Sequence, residues 1–303
     1  LDSSAASDVY KRQESIGTEL ANAVERVLDT AEGIAVTELS VHTERFYTQL
    51  TNIGFRLLIA DGDIGWTMPT LYNCDSKPYT DENCVEDGGE LVDDPLLTPF
   101  TRSQITKGDV LPTQVSHLDF GDAGLLFMPG ELPPELVIGL PDDFDTAPPE
   151  KYYREPHLHA VGADYTIPGH LLSLVDDDLT LTVGLGGDQI GYFVPVSDYR
   201  LSCLDLVLPG GKTCADLAAR GVIEGDDYIS GDTCKRITDD PGALTDFGDD
   251  AEAVASICRY GQALGREIGE PDGHYEETNA AGWDMVDDLW DAAQRIFNTG
   301  ESP

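Results

Sequence analysis

The sequence predicts an α/β (or α+β) fold, a mixed β-sheet flanked by helices, and three observations point there. Two strand-like runs, residues 123–128 and 179–185, each end in a glycine- or proline-marked turn. Three segments, 14–31, 250–266 and 283–297, carry apolar residues at helical spacing. Finally, 303 residues of which 41% are hydrophobic suffice for a substantial core.

The elements follow in chain order. Residues 14–31 form an amphipathic helix with Ile16, Leu20, Val24, Val27 and Leu28 on one face, a core stripe, and Gly33 just past its end. A strand is expected over 34–43, with His42 as a surface or satisfied core histidine and not a ligand, and a helix over 46–60 through Phe46, Leu50, Ile53 and Leu57. Residues 61–110 read as loop. Their carboxylates (Asp61, Asp63, Asp81, Glu82, Glu86 and Asp87) are of the kind that holds Ca2+. They lack the twelve-residue EF-hand pattern, and a solvated acidic loop is the better reading.

The stretch DFGDAGLLFMPGELPPELVIGLP, residues 119–141, holds the most specific chemical signal. An apolar strand stops at Pro129 and Gly130, because proline cannot donate to a ladder and glycine permits positive φ. Glu131 is thereby presented at the strand's carboxyl end. Pro133 and Pro134 suit the first turn of the following helix, where amides lack intrahelical partners. Glu131 is placed either to hold a ligand or act as a base, or merely to cap that helix. Residues 142–170 are irregular and contain His157 and His159, whose spacing would put both on one strand face. No further ligands are nominated nearby, and a loop at a site entrance is the preferred use. The strand over 179–185 runs into a glycine-rich turn at 184–187, followed by Asp188 and Tyr192. Residues 200–272 carry four cysteines and the helix over 250–266, and read as a stapled insertion of rim or lid type.

Six cysteines in loop-rich segments indicate three disulfides and an oxidising compartment, hence a secreted, extracellular or periplasmic protein. Pairing by neighbourhood, one of fifteen connectivities, joins Cys74 to Cys84, Cys203 to Cys214 and Cys234 to Cys258. Fifty-seven acidic against 18 basic residues give a net charge of -39, which excludes nucleic acid as a partner. It suits a protein kept dispersed in high salt, one that binds divalent cations outside the cell, or simply an acidic secreted surface. No run of eighteen apolar residues predicts a transmembrane helix, while access to a membrane surface stays open.

Strand, PGE at 129–131, helix, strand, glycine-rich turn, Gly191-Tyr192 and then HYEE at 274–277 occur in an order that resembles the neutral and alkaline ceramidase family. The resemblance covers residues 112–140, 179–199 and 273–297. It implies a zinc-dependent amidase that cleaves the N-acyl bond of ceramide or a related N-acyl lipid, on a sheet-and-helix catalytic domain. By the same resemblance Glu131 and Tyr192 are zinc ligands and Tyr275 is the catalytic tyrosine that hydrogen-bonds the amide carbonyl oxygen. The family's two zinc histidines and its nucleophile-bearing segment would precede residue 14. Residues 1–13, LDSSAASDVYKRQ, resemble a translated sequencing adapter and are set apart from the fold. Residues 14–303 are then expected to be the carboxyl-terminal portion of one catalytic domain, with insertions near 61–111, 142–170 and 200–272. The alternative is a non-catalytic, secreted acidic binding or surface protein that retains the fold.

Overall fold

The computed structural model describes residues 3–33, 36, 39–52, 55, 72–74, 77, 79–86, 110–145, 165–175, 179–203, 208–223, 228–264 and 275–298. The chain divides into two compact units, Leu1–Glu38 and Leu39–Pro303. The first holds a single described helix, α1 (Ser3–Leu28), which begins well before the expected Glu14. Its apolar stripe is not core as expected: Ile16, Leu20, Val24, Val27 and Leu28 are exposed. Among the described residues of that unit no second element is present against which it could bury a face.

The second unit is built on a six-stranded mixed sheet. Strand β1 (Ser40–Gln49) lies antiparallel to β4 (Val110–Asp119) over its whole length, from Ser40 opposite Asp119 to Gln49 opposite Val110. On the other edge of β4 lie two partners. The hairpin of β2 (Tyr72–Cys74) and β3 (Cys84–Glu86) touches its start, and β5 (Ala123–Phe127) pairs antiparallel with its end. Parallel to β5 runs β6 (Leu179–Val183), which makes the sheet mixed, as expected.

Strand β1 corrects two expectations. The strand foreseen at 34–43 starts only at Ser40, and Phe46 to Gln49 are strand instead of the start of a helix. The spacing of Phe46 and Leu50 satisfies a helical period, but Phe46, Tyr47 and Thr48 are also strong strand formers. Pairing with Leu111, Pro112 and Thr113 decides between them. The remaining apolar positions of that expected helix, Ile53 and Leu57, lie outside the described residues.

One sheet face is the core face. Phe46, Leu111, Val115, His117 and Leu126 point there and are buried. Helix α7 (Met285–Asn298) covers it with Val286, Leu289 and Ala293, and the Phe297 ring sits 5.0 Å from that of His117. Across the opposite face Val41, Leu118, Leu125 and Leu181 stand in register on four adjacent strands. The outer two of that row are 64% and 56% exposed.

Residues 200–272 prove to be more than a decoration. Their described part forms a two-stranded sheet, β7 (Arg200–Ser202) with β8 (Tyr228–Ser230). Three helices accompany it: α3 (Cys214–Ala219), α4 (Gly231–Asp239) and α5 (Ala251–Leu264). Leu201, Leu217, Ile237, Val254 and Ile257 are buried in one continuous core with Leu126, Phe193 and Leu289. Arg220 at the end of α3 grips the Asp250 carboxylate with two guanidinium nitrogens at 2.7 and 2.8 Å, and Lys212 adds a third contact at 2.8 Å. These hydrogen bonds, first that from Lys212, hold Asp250 below the ordinary carboxylate range. All six cysteines are paired as neighbours, with Cα separations of 4.1 Å (Cys74–Cys84), 5.9 Å (Cys203–Cys214) and 5.2 Å (Cys234–Cys258). No described helix is long and apolar enough to cross a membrane.

A candidate cleft at the strand ends

Beyond β5 and β6 the backbone keeps pairing without regular strands. Met128 donates its N–H to Val183 at 3.0 Å, and the Met128 and Gly130 carbonyls accept from Gly186 and Leu185 at 2.7 and 3.0 Å. Ile190 then donates to Pro129 at 2.8 Å, Glu131 to Gly191 at 3.0 Å and Phe193 to Glu131 at 2.8 Å. These bonds set Glu131 and Tyr192 side by side as a parallel bridge. A third segment joins on the far side, where Tyr192 donates to Asn279 and Ala281 to Ile190, each at 3.1 Å.

Two glycines make this close approach possible. A Cβ on Gly130 would stand 2.1 Å from the Gly191 carbonyl oxygen. Gly191 has φ of +94°, and a Cβ there would lie 1.7 Å from the Asn279 carbonyl oxygen. The glycines read from sequence as turn formers are thus also spacers between adjacent backbones.

The third segment begins with α6 (Tyr275–Thr278) and ends at Asp284. Its clamps are buried. Asn52, fully buried, donates from Nδ2 to the carbonyls of Ala280 (2.7 Å) and Glu277 (3.4 Å), and from its backbone to Ala281 (3.0 Å). The Tyr199 hydroxyl donates to the Glu277 carbonyl at 3.3 Å, and the Arg200 N–H to the Glu277 carboxylate at 3.0 Å. Asn52→Ala is expected to cost about 2 kcal/mol, since it strands buried carbonyls, measurable by urea unfolding. A loss under about 0.5 kcal/mol would show that the clamp matters little.

A cleft of about 340 Å³ opens where the segments meet. Glu131, Glu135, Tyr165, Tyr192, Asp198 and Glu276 supply its polar lining, and Leu132, Phe193, Val194 and three prolines its apolar walls. The Tyr165 hydroxyl donates to the Glu135 carboxylate. Glu131 is exposed to the cleft and does not serve as a helix cap: helix α2 (Pro134–Ile138) has Pro133 at its N-cap and no side-chain cap. Of the residues singled out from sequence, Glu131 and Tyr192 are brought together at this cleft. Tyr275 opens α6 directly before the lining residue Glu276; its side chain, His157 and His159 lie outside the described residues.

Sequence reasoning missed Glu276, Tyr165 and Asp198 as lining residues. Glu276 sits inside the HYEE segment and was within reach of that signal. Tyr165 and Asp198 carry none, because only tertiary packing brings them here.

The donors present are short of a complete zinc site. Structural and catalytic zinc take three or four protein ligands, while among the described residues no three His, Cys, Asp or Glu side chains converge. The described histidines are elsewhere: His42 is exposed beside Ser40, His117 packs on Phe297 and His170 lies against Gly139. Glu131 supplies a carboxylate of the kind zinc takes, with the Tyr192 phenol beside it at the same cleft. Compared with protein-family models, with curated proteins and with solved structures, the chain matches none.

Proposed function

We propose that the chain carries the carboxyl-terminal part of a secreted, zinc-dependent amidase of the ceramidase type, acting on the N-acyl bond of ceramide or a related N-acyl lipid. The observation that supports this reading best is the bridge between Glu131 and Tyr192, two residues far apart in sequence that line one cleft beside the segment begun by Tyr275. Glu131 and Tyr192 would hold the metal together with the two histidines that the resemblance places ahead of residue 14. Zinc, when bound, polarises a carbonyl and lowers the pKa of its water to about 7. The Glu131 carboxylate offers a hard anionic oxygen, and the Tyr192 hydroxyl, titrating near 10 when free, needs a nearby cation to ionise. Tyr275 is assigned to hydrogen-bond the oxygen on which negative charge develops. The apolar walls at Leu132, Phe193 and Val194 suit an acyl chain. Three disulfides support an oxidising, extracellular or periplasmic setting.

The test is hydrolysis of a fluorescent N-acyl sphingosine by the product of the full-length gene. Glu131→Gln and Tyr192→Phe are each expected to lower kcat/KM by about 100-fold and to weaken zinc binding. A gene with no histidine pair ahead of residue 14 would favour the other reading, a secreted acidic binding protein that keeps this fold. For residues 1–303 alone, zinc is expected to be lost on dialysis. Stoichiometric retention, read by elemental analysis, would overturn the ligand assignment and direct attention to His157 and His159.

A further inference from the structure

Five charged side chains meet at the start of α7. Asp284, fully buried, has one carboxylate oxygen 2.8 Å from Lys77 Nζ and the other 3.4 Å from Lys235 Nζ. Asp288, one turn further and one-tenth exposed, lies 3.2 Å from the same Lys77 Nζ, while Asp287 pairs with Lys235. Lys77 comes from the stretch closed by the Cys74–Cys84 disulfide, and Lys235 from α4. Two of the six lysines in a chain of charge -39 are thus spent on one spot. Three carboxylates, of which Asp284 and Asp288 are shielded from water, against two ammonium groups balance when one carboxyl holds a proton.

The position of the cluster gives it leverage. Asp284 ends the segment that starts at α6, pairs with Ile190 to Tyr192 and carries Glu276 into the cleft. Asn52 and Tyr199 hold the middle of that segment, and Lys77 holds its end.

We propose that the cluster of Lys77, Lys235, Asp284, Asp287 and Asp288 is a pH-responsive clasp that binds the Cys74–Cys84 stretch to the segment positioning Glu276, closed when Asp288 is protonated and loosened when it ionises. Several described elements bring a charged or polar group towards Asp288. Asp284 and Asp287 flank it in sequence, Lys77 and Tyr79 face it from the disulfide-closed stretch, Lys235 approaches from α4 with Asp232 and Asp239 behind, and β1 offers only the neutral Thr48. Burial pushes the Asp288 carboxyl up to about 7, with Lys77 opposing and Asp284 adding to the rise. In an opened segment the group returns to an ordinary carboxylate value of about 4. A raised value in the closed state means that the closed state binds the proton more tightly. Its advantage is therefore complete below about pH 4 and is lost as pH rises through 7.

The clasp is tested on the whole chain by amide hydrogen exchange over residues 275–284 between pH 5 and 8.5, corrected for the intrinsic pH dependence of exchange. The opening constant is expected to rise by up to about tenfold per pH unit below 7 and to level off above it. Trp283 fluorescence should report the same midpoint. Asp288→Asn should hold opening at the low level at every pH, Lys77→Met should raise it throughout, and Lys77→Arg should restore the original profile. Opening that does not vary with pH in the unmodified chain, or an unchanged profile in Asp288→Asn, would overturn the proposal. The unmodified profile decides the matter even if a variant fails to fold. No substrate is used, so the result is independent of the amidase reading.

Discussion

Replacing Gly191 with alanine is expected to destabilise the second unit by about 3 to 5 kcal/mol and to disorder the cleft. The new methyl group would stand 1.7 Å from the Asn279 carbonyl oxygen and 2.8 Å from its carbonyl carbon, both backbone atoms that cannot step aside alone. Its φ of +94° adds a conformational cost of about 1 to 2 kcal/mol for an L-residue. Relief requires the two segments to separate, which breaks the bonds from Tyr192 to Asn279 and from Ala281 to Ile190. Gly211 is the control: its φ is +69° and nothing lies within 4 Å of an added Cβ, so alanine there should cost only about 1 kcal/mol. Urea denaturation of both variants measures the difference. Equal losses would mean that the three-segment pairing is not what holds the cleft.

The second large effect is expected at Cys234 and Cys258. This disulfide joins α4 to α5 across a sequence separation of 24, and both residues are buried. In the chain-entropy account a loop of that size contributes about 3 to 4 kcal/mol. Changing both cysteines to alanine should lower the unfolding free energy by at least that much, because the sulfur atoms also fill core space beside Ile237 and Val254. The Cys74–Cys84 bridge, with a separation of 10, should cost less, about 2 to 3 kcal/mol. An unfolding midpoint unmoved by the Cys234/Cys258 change would contradict a core fastened at this point.

Much of the fold was legible because β5, β6, α5 and α7 each have a single periodicity and a clear stop signal, and the structure places them within two or three residues of expectation. The segment around Phe46 was not, because the spacing of Phe46 and Leu50 satisfies a helix while Phe46, Tyr47 and Thr48 equally suit a strand. Only the partner strand, more than sixty positions away, decides. Helix α1 shows the converse. Its pattern was read correctly as amphipathic, but a pattern says which face could be buried and not whether anything covers it. At the cleft, Glu131 and Tyr192 were found through motif order, whereas Asn52, Tyr165 and Asp198 sit in unremarkable surroundings and gain meaning only from burial and contact. The Asp284 cluster was likewise invisible, since aspartates in an acidic sequence draw no notice until two lysines are seen beside one of them.

The apolar row Val41, Leu118, Leu125 and Leu181 has a colloidal consequence. A ribbon of this kind, four strands wide with exposed ends, is the sort of surface on which two molecules adhere. A net charge of -39 opposes that contact, through a field reaching about 10 Å at 0.1 M salt and only about 3 Å at 1 M. Contrary to the dispersal in high salt expected from charge alone, this ribbon makes ionic strength a control on adhesion: dilute buffer keeps molecules apart by charge, and concentrated salt removes the barrier while strengthening apolar contact. Light scattering should accordingly rise with sodium sulfate well before the fold is lost, and replacing Val41 and Leu181 with threonine should move that onset to higher salt.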